Sequence, residues 1–245
     1  RATWRRTTSS WSTARCAWNN SPLVGRQAEQ ARLHALYANA ANGGFAAITG
    51  QPGIGKTRLA EDLLALARRA GGGVVAARCY QGENALAYAP IAALIRAALA
   101  MLERQGRLGD LNASLLLEAA RLVPDAARHA EREAPPLAGP EARRRFFEAV
   151  TDLLLAASAG HAPGIILVDD AHWADSASLD LLAFLARRLY GRPALYVLIW
   201  RDEDAPAGHP LRAILGEARR AGHGPRHRAR PRRQRGAHDP ARSGN

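Results

Sequence analysis

Residues 50–57, Gly50-Gln51-Pro52-Gly53-Ile54-Gly55-Lys56-Thr57, lie between an apolar run, Phe45 to Thr49, and an amphipathic stretch that begins at Lys56. Gly50, Gly53 and Gly55 can take backbone conformations that other residues resist. The segment therefore reads as a tight turn from a buried strand into a helix. A buried strand leading into a helix needs a parallel partner and helices to cover the sheet, which restricts the chain to an α/β architecture. Lys56 is also the only lysine among 34 basic residues, all the others being arginine.

The rest of the chain alternates in the same way. An amphipathic helix is expected over 26–40, strands over 45–49, 73–79, 164–170 and 194–200, and helices over 56–70, 175–189 and 209–221. Asp175 is placed to cap the helix it opens. Residues 89–159 read as a mostly helical insertion, with the clearest helices at 89–105 and 141–158. No internal repeat is present.

Gly50-x-x-x-x-Gly55-Lys56-Thr57 is the phosphate-binding loop pattern of nucleoside triphosphatases, in its required setting of strand before and helix after. The loop and first helical turn, Gly50, Gln51, Pro52, Gly53, Ile54, Gly55, Lys56, Thr57 and Arg58, would offer backbone amides and the positive helix end to the phosphates of ATP or ADP. Lys56 would bridge the outer phosphates, a task for a compact ammonium that a planar guanidinium does not match. Thr57 would bind Mg²⁺. The third strand ends in Asp169-Asp170. Asp169 would hold the metal through water, and Asp170 would polarise an attacking water. Many such ATPases use glutamate there; aspartate is one methylene shorter, which suits slow hydrolysis. These carboxylates are expected one strand over from the loop. His172 and Trp173 would either sense the γ-phosphate or pack beneath the loop. Arg201, past the fourth strand, would reach the γ-phosphate as a sensor or pair with Asp202 or Glu203.

The net charge of +12 suggests nucleic acid until it is located along the chain. Residues 1–22 carry four arginines and no acid, and residues 219–245 nine arginines and one aspartate, while 21 bases and 21 acids balance between them. The central body is neutral and its charge gives no support to a DNA-binding surface. Residues 1–22 are basic and unpatterned. Residues 221–245, rich in Arg, Pro and Gly, cannot bury a core and are expected to be disordered. They read either as a nucleic-acid-binding arm or as a shifted reading frame. No apolar run is long enough to cross a membrane, and no apolar stretch follows the N-terminal arginines. Cys16 and Cys79 have no metal-ligand spacing. A cytoplasmic protein is expected.

The segments 23–33, 50–59 and 166–189 together resemble the ATPase module of large LuxR-type transcriptional regulators and MalT-like signalling ATPases. The AAA domains of origin-recognition proteins are similar. The resemblance covers about 23–220 and implies a three-layer P-loop NTPase sandwich. It nominates Val24, Gly25 and Arg26 beside the adenine, with Gln27 in place of the usual glutamate. It extends to Tyr88 and Pro90, and to Trp200-Arg201-Asp202-Glu203 as a sensor segment. Such regulators continue into a fifth strand, a lid and often a helix-turn-helix, none recognisable after 220. A module lacking its last strand and lid, exposed along its first strand and marginally stable, is therefore expected. The implied function is an ATP-binding, slowly hydrolysing switch whose nucleotide state controls self-association or an output domain, with DNA met only through a domain absent from this chain. Two other classes stay open: a P-loop small-molecule or nucleotide kinase, and a DNA-associated origin-binding AAA protein.

Overall fold

The computed structural model describes residues 25–82, 86–129, 136–220 and 227–228, so residues 1–22 and Val24 lie outside it. Four strands of apolar residues form its centre: β1 (Gly44–Gly50), β2 (Val74–Arg78), β3 (Gly164–Asp169) and β4 (Ala194–Arg201). With a two-residue strand, β5 (His227–Arg228), they make one sheet in the order β2-β3-β4-β1-β5, every pair parallel. β1, β3 and almost all of β4 are buried on both faces, as strands covered by crossover helices should be.

The described residues form seven α-helices around the sheet: α1 (Gln27–Ala38), α2 (Lys56–Arg69), α3 (Ala89–Arg104), α4 (Ala113–Ala120), α5 (Gly139–Ser158), α6 (Ser176–Arg188) and α7 (Pro210–Arg220). Alternate residues along each strand point to opposite faces, so the core divides in two. Ala46, Ile48, Ile165, Leu167, Val197 and Ile199 face α1 and α2. Phe45, Val75, Ile166, Val168, Tyr196 and Leu198 face α3, α5, α6 and α7. The three-layer parallel α/β sandwich read from the sequence is the observed fold. The helical insertion is part of that sandwich: Ile91, Leu94 and Ile95 of α3 and Phe146, Val150 and Leu153 of α5 belong to the second core. The triple glycine after α2 does more than end the helix. A Cβ on Gly72 would lie 2.3 Å from the Pro163 carbonyl oxygen, and one on Gly73 2.5 Å from that of Ala157. Two loops thus pass there at backbone contact distance.

β4 lies between β1 and β3, so the aspartates reach the loop across one intervening strand. One expectation changes: the outer edge of β1 is not bare, since Ile48 and Thr49 pair with His227 and Arg228. Those two residues fall within 221–245, the stretch expected to be disordered. A parallel edge with free amides is a template that even a short polar segment can pair with.

Candidate functional site

In a parallel sheet, ligand sites form beyond the carboxyl ends of the strands, where loops turn into helices. Here β1, β3 and β4 deliver Gly50, Asp169 and Arg201 to that end, with Gly50 in register with Arg201. The loop from β1 then bends back into α2 through glycines with positive φ, +71° at Gly53 and +84° at Gly55. Gly55 is the left-handed N-cap of α2 and no side chain caps this helix. The first amides of a helix have no partner within it, and these open onto the loop.

Lys56 folds back over the same loop. Its Nζ donates to the carbonyl oxygens of Gly50 at 3.0 Å and Gln51 at 2.9 Å, and the residue is buried. Burial lowers its pKa from the ordinary lysine value, while nearby Asp170 pulls it up. Arg26, buried at the start of α1, lies against the loop: a Cβ on Gly55 would stand 3.8 Å from its Nε. Gly25 precedes it at φ +84°. Arg58 turns toward Glu61, 3.5 Å away.

Thr57 Oγ1 donates to Asp169 Oδ2 at 3.2 Å, joining the loop to the end of β3. Asp169 is 1 % exposed, and burial, with the charge of Asp170 beside it, raises its pKa above the usual carboxylate value. Asp170 sits at φ +50°, a left-handed conformation strained for a residue with a Cβ. Its amide donates to Asp169 Oδ1 at 2.9 Å. Its carboxylate is held by Arg78 at the end of β2, with Nη2 at 2.7 Å and Nε at 3.0 Å from Oδ2. The carboxylate expected to polarise an attacking water thus faces an arginine in this conformation. The sequence signal for Arg78 was a charged residue closing an otherwise apolar strand.

Arg201 Nε lies 3.9 Å from Asp204 Oδ2. Asp202 accepts from Thr49 Oγ1 at 3.4 Å and lies 3.7 Å from Arg212. His172 has a 1 % exposed side chain, with its Nε2 3.3 Å from Asp204 Oδ2. Burial lowers its pKa below the usual imidazole value. The Trp173 ring packs on it, centroids 4.9 Å apart. Asp175 caps α6 as expected, accepting from the Ser178 amide at 2.9 Å. Its other oxygen accepts from the Tyr88 amide at 3.1 Å, a tie to the insertion that spacing alone did not suggest. Tyr88, at φ +63°, stacks edge-on against Phe146 and Phe147. The insertion is thereby pinned to α6.

The residues present fit a magnesium nucleotide. Asp169 is a buried carboxylate with a raised pKa, beside Asp170, whose carboxylate Arg78 holds. Thr57 Oγ1 and Asp169 are hard oxygen donors of the type magnesium takes. Lys56 and the open amides of α2 suit anions. A cavity of about 840 Å³ lies elsewhere, between α5, α6 and α7, lined by Phe147, Phe184 and Ile214 and by none of these residues.

A family model described as an AAA ATPase domain matches residues 22–199. No curated protein matches the chain. Among solved structures the chain is similar to the crystal structure of Cdc6p from Pyrobaculum aerophilum, at 18 % identity and a TM-score of 0.48, over 87 % of this chain and 47 % of that one. It is also similar to the ORC2 protein of Aeropyrum pernix in ADPNP–ADP complexes, at 18 % identity and a TM-score of 0.46, over 84 % of this chain and 48 % of that one. The chain thus spans about half the length of each.

Proposed function

The chain belongs to the AAA ATPase domain family, and on that premise we propose that it is an ATP-binding, slowly hydrolysing switch module of a signalling or transcriptional regulator. One observation carries the reading. A buried lysine nested on the loop carbonyls stands at an uncapped helix N-terminus, and Thr57 joins that helix to the buried carboxylate of Asp169. Nothing in such an arrangement serves the core. A buried ammonium and a buried carboxylate both cost free energy when ionised, and a phosphate–magnesium pair would offset both.

Each residue then has one task. The loop amides and Lys56 bind the phosphates, Thr57 and Asp169 hold Mg²⁺, and Arg201 approaches the outermost phosphate. Bound magnesium would supply charge neutralisation at the reacting phosphoryl group. Asp170 would accept the proton of the attacking water, but only after leaving Arg78. That ion pair, with the short reach of aspartate, supports slow turnover, as suits a switch more than a motor. The regulator role draws on the Leu23-to-Leu33 and Ile166-to-Leu189 segments, whose resemblance is to LuxR-type and MalT-like ATPases. Nucleotide state would then control self-association or an output domain.

Binding of a fluorescent ATPγS analogue, with and without Mg²⁺, tests the reading in the wild type and in Lys56→Ala. Micromolar, Mg²⁺-dependent binding that falls at least tenfold in the variant is expected. Equal binding by both chains would overturn the assignment.

A further inference from the structure

One carboxylate oxygen in this region is used twice. Asp204 Oδ2 lies 3.3 Å from His172 Nε2 and 3.9 Å from Arg201 Nε. It is shielded from solvent, yet neither contact has hydrogen-bond geometry, and both His172 ring nitrogens are likewise without a hydrogen-bond partner. Buried polar atoms left in this state cost about 1–3 kcal/mol each. A group of three that lie within reach of one another, at the mouth of a ligand site, is therefore set to tighten when the neighbouring charge changes. The positions agree with that purpose. His172 belongs to the 3-10 turn Ala171–Trp173, directly after Asp170, and lies in the electrostatic field of Asp170, Asp204, Arg201 and Lys56. Asp204 closes the turn after β4, its amide donating to the Arg201 carbonyl at 3.3 Å.

We propose that Asp204 and His172 are positioning residues for Arg201: His172, fixed in the core, sets the Asp204 carboxylate, and Asp204 holds Arg201 by Nε with its terminal nitrogens toward the outer phosphate. The pair makes Arg201 selective for a triphosphate over a diphosphate, and it links the turn after β3 to the turn after β4. This rests on the nucleotide reading of the site given above. A purely structural role for the same contacts would stabilise the two turns and affect all nucleotides alike.

The test is the ratio of ADP to ATPγS dissociation constants, with Mg²⁺, for the 245-residue chain and its variants. Arg201→Ala should lower the ratio about tenfold through ATPγS alone. Asp204→Asn, which keeps shape, and His172→Gln should each lower it about three- to tenfold with ADP affinity unchanged. Added to Arg201→Ala, neither should lower it further, as expected of groups acting through one residue. Equal losses for ADP and ATPγS, or the same loss with and without Arg201, would overturn the proposal in favour of a structural role. A ratio unmoved by Arg201→Ala would overturn it while leaving the nucleotide site intact. Failure of the wild type to bind either nucleotide would overturn both together. If His172→Gln does not fold, Asp204→Asn decides the matter alone.

Discussion

Asp170 is committed to Arg78, and that pair sets what the site can do before any ligand arrives. Arg78→Gln releases the carboxylate. Single-turnover hydrolysis is expected to rise about three- to tenfold with little change in ATPγS affinity; a fall would mean that Arg78 aims Asp170 instead of restraining it. Asp169 yields a second prediction. Its folded-state pKa lies above the unfolded value, so the folded chain holds this proton more tightly. The stabilisation is present below the unfolded carboxylate range and is lost as pH rises through the folded value. Asp169→Asn should therefore raise the Tm of the nucleotide-free chain at pH 7, with the gain vanishing near pH 4, as thermal melts across pH would record. His172 has the opposite sense. Its depressed value means that stability is full above about pH 6.5 and declines as pH falls through the folded value. His172→Gln should flatten that limb. The residues of the loop were legible because their spacing is a chemical requirement. Arg78 and Asp204 were not, because nothing in local sequence says which strand end faces which.

At the level of elements, Asp175 does two jobs with two oxygens. It caps α6 and receives the Tyr88 amide from the start of the insertion. Losing a cap costs about 1 kcal/mol, and stranding a second buried amide adds about as much. Asp175→Ala should therefore destabilise the chain by about 2 kcal/mol, read from its urea midpoint, with ATPγS affinity per folded molecule unchanged. The cap was visible in the sequence, since an aspartate opening an amphipathic run is a local signal. The tie to Tyr88 joins residues far apart in the chain and depends on how α3 packs. Gly55 shows the same division. The pattern demanded glycine there, but only the fold gives its left-handed N-cap role at the head of α2.

Across the whole molecule, the sheet order places the phosphate loop on the strand nearest the weak edge. β1 pairs fully with β4 on one side, but on the other only Ile48 and Thr49 pair with β5 among the described residues. Removing 221–245 takes β5 away and bares the strand that carries the loop. The shortened chain is expected to aggregate sooner on heating and to lose nucleotide affinity, by light scattering and ATPγS titration; unchanged behaviour would mean that β5 adds nothing to the edge. Nucleotide should act in the other direction. At a hundredfold excess over its Kd, a ligand that binds only the folded state adds about 2.7 kcal/mol.

The sequence by itself determined the parallel α/β sandwich and the identity of the loop, because apolar strand runs, helical periodicity and glycine spacing are local constraints that physics reads from neighbouring residues. It also supplied Asp169 and Asp170 at a strand end. Tertiary structure alone decided that Asp170 faces Arg78 and that Arg201 shares Asp204 with His172. Those contacts are set by strand order and register, which follow from how the two faces of the sheet are buried as a whole.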